Sequence, residues 1–238
     1  MFARTLPLLA LPAAVAVLAG CGGSAPQASA PSTAAAAAGV MAKSATGTYT
    51  SAELSSALLA RINGAAPAIS PESGPYGSLP EVLSTKNSMR GVTVTPAKCA
   101  QATLTGFNSA TFADSPSAVT TFRVGRNGVS EVLMAPSEAT AAEAIGKGVP
   151  SGCGHYRAVV SGKTFSYVVR DSSISGVGTE ARVLNIKAVG YPEINVWSLV
   201  YRGDGLVGAI TIVGQDASEA AARQLAEQAY KYAVSRLS

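Results

Sequence analysis

No core can be built from GGSAPQASAPSTAAAAAGVMAKSATGT, residues 22–48 of this chain. The stretch has almost no bulky apolar side chains and a single charge, Lys43. Ordering it would cost chain entropy that no buried surface returns. Its five consecutive alanines, Ala34–Ala38, are too few to hold an isolated helix in water. The composition predicts a flexible tether of 27 residues, with a mean reach of about 30 Å. Whatever folds lies after it, in residues 49–238. That length suits one domain, or at most two small ones, and is enough to bury a core without a metal.

Ahead of the tether stands an apolar run, LPLLALPAAVAVL (6–18), with Arg4 in front of it. The run is short of the roughly 20 residues that a spanning helix needs, and Pro7 and Pro12 interrupt it. With small residues following, it reads as a targeting signal. Leu18-Ala19-Gly20-Cys21 is similar to the lipobox of bacterial lipoproteins. That resemblance implies diacylglyceryl transfer to the Cys21 thiol, cleavage before it, and fatty acylation, commonly with palmitate, of the new amino group. The alternative is an ordinary signal peptide with a nearby unpaired cysteine. The expected plan is residues 1–20 as signal peptide, 21–48 as acylated cysteine and tether, and 49–238 as one extracytoplasmic domain. The expected location is the outer face of the cell membrane, held there by lipid.

Removing Arg4 with the signal leaves 17 of the 18 basic residues against 14 acidic ones, a mild excess with no basic run. Nucleic acid is therefore not an expected partner. Cys99 and Cys153 remain. In an oxidising compartment an even pair reads as a disulfide. A reactive thiol pair is the alternative, although neither cysteine belongs to a Cys-x-x-Cys motif.

Thr50-Ser-Ala-Glu53 has the form of a capping box. It predicts a helix carrying Leu54, Leu58, Leu59 and Ile62 on one side. A helical turn is expected at Pro80–Leu83, and a short helix from Pro96 would place Cys99 on its first turn. Strands follow at 117–124 and 129–134, with Asn127-Gly128 as a strong hairpin signal. Pro136-Ser137 opens a short helix through Ile145. HYRAVV (155–160) and TFSYVVR (164–170) flank another hairpin, and in the latter Phe165, Tyr167 and Val169 alternate with Thr164, Ser166 and Arg170. Strands continue at 180–189 and 193–202. LVGAITIV, after the Arg202-Gly-Asp-Gly205 turn, is apolar on both faces and expected to be central. A last helix begins near Asp216, with Ala221, Leu225, Ala229 and Tyr232 as its inner stripe. The class is α+β: a largely antiparallel sheet of about five to seven strands, packed with N- and C-terminal helices and carrying one disulfide.

Two stretches, EVLMAPSEATAAEAIGKGVPSGC (131–153) and LVYRGDGLVGAITIVGQDASEAAARQLAEQAYKYAV (199–234), set these elements in a distinctive order. The chain resembles the secreted lipoproteins of actinobacteria that are similar to the extracellular sensor domain of PknH-type Ser/Thr kinases. The likeness is architectural and spans most of residues 50–238. The kinase sensor has two disulfides, and this chain has cysteines for one. The resemblance implies a ligand-sensing or envelope-binding role and supplies no catalytic residues.

His155 is the single histidine; beside a disulfide-bonded Cys153 it has no thiolate to activate, and alone it makes a poor metal site. A Ser-His-Asp hydrolase would need it as base, and no Gly-x-Ser-x-Gly elbow occurs. Ser161-Gly-Lys-Thr164 imitates the end of a phosphate-binding loop, but Arg157 stands where glycine is required. Asp171, Glu180 and Glu193 could pair for acid–base work only if the fold gathered them. Arg202-Gly-Asp204 reads as a tight turn rather than an adhesion tripeptide. His155, Arg157, Arg170 and Lys187 are expected on one outer sheet face, with Tyr156 and Tyr167 pointing inward. Together they form a candidate basic surface for anionic envelope lipids or phosphorylated glycans; solvated charges that keep a face polar are the plainer reading. No cofactor or metal is expected. The expected function is a membrane-anchored, non-catalytic ligand-binding or sensor-like domain. The alternatives are an accessory protein docking onto an envelope complex, or a hydrolase of envelope polymers.

Overall fold

Period-two alternation dominates the second half of the chain, and the computed structural model turns it into one continuous sheet. The structure describes residues 48–103, 110–190 and 195–238. Cys21, the signal, nearly all of the tether, and Glu193 lie outside them. The strands are β1 (Glu72–Pro75), β2 (Thr93–Thr95), β3 (Pro116–Val124), β4 (Asn127–Met134), β5 (His155–Val160), β6 (Lys163–Ile174), β7 (Glu180–Val189), β8 (Asn195–Gly203) and β9 (Leu206–Gly214). Helices are α1 (Ser51–Ser56), α2 (Pro80–Met89), α3 (Glu138–Gly146) and α4 (Glu219–Leu237). Stretches of 3-10 helix occupy Tyr76–Ser78, Ala97–Thr103 and Ala110–Phe112.

The nine strands run in the order β1-β3-β4-β9-β8-β7-β6-β5-β2, every neighbouring pair antiparallel. The α+β class is as expected. The sheet is wider because two short strands, β1 and β2, add themselves to its edges. β9 lies near the middle, as its two-sided apolarity requires, and it joins the β3–β4 hairpin to the β5–β8 meander.

Registers sort the side chains into two faces. On the first, Ala118, Phe122, Val129, Leu133, Leu199, Tyr201, Ile210 and Ile212 pack beneath α1 and α4. On the second, Val119, Met134, Val200, Val207 and Ala209 pack against Tyr76, Leu79, Phe112 and the α3 residues Ala141 and Ile145. Further along this second face, Tyr156, Ala158, Val169 and Ile186 are covered by Val94 and the Cys99–Cys153 disulfide. The disulfide closes a separation of 54 residues. Cys99 sits on the first turn of its 3-10 helix, as expected.

Three local expectations change. The capping box at Thr50 and Glu53 is present, but α1 ends at Ser56. Leu58, Leu59 and Ile62 are still buried. The helix stops because the Leu59 N–H donates to the Glu131 carboxyl on β4 instead of to a carbonyl one turn back. The β3–β4 hairpin turns at Gly125-Arg126, since Val124 already pairs with Asn127; Asn127-Gly128 belongs to β4. Finally, α4 is capped by Ser218, and it buries Ala222, Leu225, Ala226, Ala229 and Ala233. Ala221 and Tyr232 are only partly buried, so the inner stripe is rotated toward the alanines. Small side chains let the helix lie close to the sheet.

Candidate functional site

A cleft of about 490 Å³ opens at one rim of the sheet. Its walls come from segments far apart in sequence. The end of β4 leads through Pro136 into α3, whose Ser137 cap accepts the Thr140 N–H at 3.3 Å. Because β9 pairs with β4, Met134 faces Val207 across the ladder. The β8–β9 hairpin, Arg202 to Leu206, therefore stands beside the start of α3. Asp204 and Gly205 both have positive φ (51° and 74°), which the tight primed turn demands. Thr179 and Thr48 complete the lining.

Arg202 organises the rim. Its guanidinium donates to both Glu180 oxygens, each at 3.0 Å, and also to Glu138 at the start of α3. The Arg202 hydrogen bonds hold the Glu180 carboxyl below the usual carboxylate range. The same residue's carbonyl accepts from the Thr179 N–H and hydroxyl, tying the β6–β7 connection to β8. Across the turn, the Tyr230 hydroxyl donates to Asp204 at 2.7 Å. Burial first, and then this bond, push the Tyr230 phenol up to about 12. Glu138 and Glu180 thus share one cation, Arg202, while Asp204 takes the Tyr230 hydroxyl on the other side of the turn. The arrangement is a hydrogen-bonding rim, acidic on balance.

The four basic residues singled out from sequence lie elsewhere, on one face. His155 pairs across to Val168, which pairs to Lys187; Arg157 pairs to Ser166 and Arg170 to Asn185. Cross-strand partners share a face, and so do residues two apart on a strand. His155, Arg157, Arg170 and Lys187 consequently project from the same side, and all four are exposed. Tyr156 and Tyr167 face the other way and stack with centroids 5.0 Å apart. Burial pushes both phenols upward.

Of the carboxylates weighed for acid–base work, Asp171 and Glu180 are not gathered, and Glu193 lies outside the described residues. Asp171 accepts from Arg182 at 3.1 Å and from the Val149 N–H at 2.8 Å, while Glu180 belongs to Arg202. Each has its own arginine. Cys153 is bonded to Cys99. Among the described residues no group of three or more His, Cys, Asp or Glu is placed to hold a metal ion.

Sequence reasoning missed the rim cleft. Its parts were visible, as a turn at 202–205 and a helix start at 136–137, but their meeting depends on the β4–β9 pairing across more than 70 residues. It missed Glu131 as well. The side chain is 0 % exposed in the first-face core, close to the buried Tyr201, whose phenol is pushed up by burial first and then by Glu131. A glutamate inside VSEVLM was the available signal, at a position facing the core by alternation.

No family model matches the sequence, and no curated protein matches it. Among solved structures, the extracellular domain of PknH from Mycobacterium tuberculosis aligns over 79% of this chain and 96% of its own, with a TM-score of 0.53 at 12% identity. The Rv0999 ortholog from Mycobacterium smegmatis, an uncharacterized protein, aligns over 69% of this chain and 86% of its own, with a TM-score of 0.40 at 16% identity. At 12% identity the likeness to the PknH extracellular domain is one of fold, and the architectural resemblance seen in the sequence is found in the structure.

Proposed function

We propose that this chain is a lipid-anchored domain on the extracytoplasmic face of the cell membrane, where it binds an envelope ligand without chemistry. The observation that carries the reading is the fold it shares with the extracellular domain of PknH over nearly the whole of that domain. The Cys99–Cys153 disulfide supports an oxidising location. Leu18-Ala19-Gly20-Cys21 supports the anchor, with Cys21 as the acylated residue and residues 21–48 as the link to the domain. Each buried acyl methylene contributes about 0.8 kcal/mol, so two or three chains hold a protein durably. The rim cleft is the site for a small polar ligand, with Glu138, Arg202 and Asp204 offering charge and hydrogen bonds.

The test is mass spectrometry of solvent extracts from the mature chain, residues 21–238, purified from an actinobacterial host. A stoichiometric small molecule, lost in Arg202→Ala, supports the reading. Empty protein in every preparation overturns it in favour of docking onto another envelope protein. Fractionation of Cys21→Ala tests the anchor separately: release from membranes is expected, and unchanged retention refutes acylation as the tie.

A further inference from the structure

Asparagine followed by glycine occurs twice in the chain, at Asn63-Gly64 and at Asn127-Gly128, and the fold holds the two dipeptides in opposite ways. Asn127 opens β4 and pairs with Val124, while Gly128 is paired with Arg123 on one side and Val213 on the other. The Asn127 Oδ1 atom is buried against Gly214. Asn63-Gly64 forms a two-residue turn in the segment that follows α1. Both residues have positive φ, 47° and 83°, as a type I′ turn requires, and both are exposed. One isolated bridge, Ile62 to Ala65, closes the turn through backbone bonds of 3.1 and 2.9 Å. Among the described residues no turn or loop backbone bond takes the Gly64 N–H, and space is open where a Gly64 Cβ would stand.

We infer that Asn63 is a site of spontaneous covalent modification, where water replaces the side-chain amide with a carboxylate by way of a cyclic imide. The Gly64 amide nitrogen gives its proton to solvent base and bonds to Cγ of Asn63. The bond from Cγ to the side-chain nitrogen breaks, and that nitrogen takes up a proton and leaves as ammonia. A water molecule then opens the imide at either carbonyl. Attack at Cγ leaves an aspartyl residue; attack at the main-chain carbonyl leaves an isoaspartyl residue, with the chain running through the former side chain. Overall, water is consumed and ammonia released, without an oxidant or a cofactor. The chemistry is independent of any ligand or anchor.

Glycine in the attacking position leaves the nitrogen uncrowded by a Cβ. Ring closure needs the Asn63 backbone rotated out of the turn, so the turn must open first. At Asn63 that breaks one bridge and the bond from the Arg61 guanidinium to the Gly64 carbonyl, 3.0 Å long. At Asn127-Gly128 it breaks strand pairing on both sides of β4, an opening that belongs with the core of the sheet rather than with a loop tip. The same dipeptide therefore has two lifetimes in one fold. The change also reaches inward, because Ile62 is 0 % exposed and packs in the first-face core with Leu54 and Leu58. An isoaspartyl residue lengthens the main chain by a carbon, and Ile62 and Ala65 then lose their register.

The experiment is incubation of the mature chain, residues 21–238 carrying Cys21→Ser, in water enriched in heavy oxygen, either folded at mildly alkaline pH or in concentrated urea. Peptide mapping by mass spectrometry then reads the label at each asparagine. In the folded protein, label should enter at Asn63 at least about 10-fold faster than at Asn127. In urea, where both turns are lost, the two rates should converge. Amide hydrogen exchange over Leu59–Ile62 should quicken in the converted fraction. Equal labelling of the two sites in the folded protein overturns the inference. So does an unlabelled Asn63 in folded protein after a time that labels both sites in urea, and unchanged exchange overturns the effect on the core.

Discussion

The Oε2 atom of Glu131 accepts the N–H of Leu59 at 2.9 Å inside the first-face core, in place of the carbonyl that a longer α1 would have supplied. Its other oxygen, the Tyr201 hydroxyl and the Thr120 hydroxyl are buried without a hydrogen-bond partner. Burial raises the Glu131 carboxyl from 4.5 to about 8, and the Leu59 N–H pulls the other way.

That shift fixes a pH dependence. The folded state binds the proton between 4.5 and about 8, where the unfolded chain has lost it. Stability attributable to this group therefore falls as pH rises through the window, by up to about 1.4 kcal/mol per unit. Glu131→Gln keeps the acceptor for Leu59 and cannot ionise. Urea melts should show it near wild type at pH 5 and more stable at pH 8, by about 3 kcal/mol. An unchanged pH slope in the variant would falsify the assignment.

Tyr201 lays its ring over Gly208, where a Cβ would run into the phenol, and meets Tyr230 edge-on at 5.6 Å. Gly208→Ala should destabilise by about 1–3 kcal/mol through overpacking. Tyr201→Phe keeps the ring and deletes a buried hydroxyl that has no partner. It should be neutral or stabilising by about 1 kcal/mol. Equal losses from the two substitutions, in the same denaturation series, would contradict this packing.

The disulfide constrains a loop of 54 residues, and in the chain-entropy relation that is about 4 kcal/mol. Reduction should lower the calorimetric midpoint by about 10 °C for a domain of this size. The double variant Cys99→Ala with Cys153→Ala should match the reduced protein. A midpoint indifferent to reductant would remove the bridge from the stabilising elements.

Two ion pairs of similar length should differ in worth. Arg182–Asp171 is largely shielded, its side chains 22% and 14% exposed, and Asp171 also holds the Val149 N–H. Arg182→Ala leaves a half-buried charge and should cost about 2–4 kcal/mol. Arg126–Asp216 is 70% and 54% exposed, and Arg126→Ala should cost under about 0.5 kcal/mol. Chemical denaturation of both, in low and high salt, distinguishes them, since only the second pair should fade with salt.

How far the sequence spoke depended on distance along the chain. The β5–β6 and β8–β9 hairpins, α3 and α4 are local objects, and alternation plus turn chemistry marked each. The same alternation put His155, Arg157, Arg170 and Lys187 on one face, because the registers of β5, β6 and β7 follow from consecutive hairpins. Asn127-Gly128 misled by two residues, since the Val124–Asn127 pairing already closes the turn at Gly125-Arg126. The short strands β1 and β2 carry too few residues to show a period, and they exist only because β3 and β5 offer edges. The rim cleft and the Leu59–Glu131 bond join residues whose proximity is created by tertiary pairing, and no local pattern encodes it.

The position of β9 has a consequence for how the chain is made. The β3–β4 hairpin and the β5–β8 meander can each pair by local turns as soon as they emerge, but they share no ladder until Leu206–Gly214 arrives between them. Until then β4 and β8 each present an unpaired edge, the kind of surface on which strands of other chains assemble. A chain stopped short of Leu206 would be two half-sheets with nothing to sew them together, and α4 would have no floor to lie on. The last thirty-odd residues are the keystone, so premature termination near the C-terminus should be as damaging as loss of any central strand, and truncated chains should be recovered as aggregates.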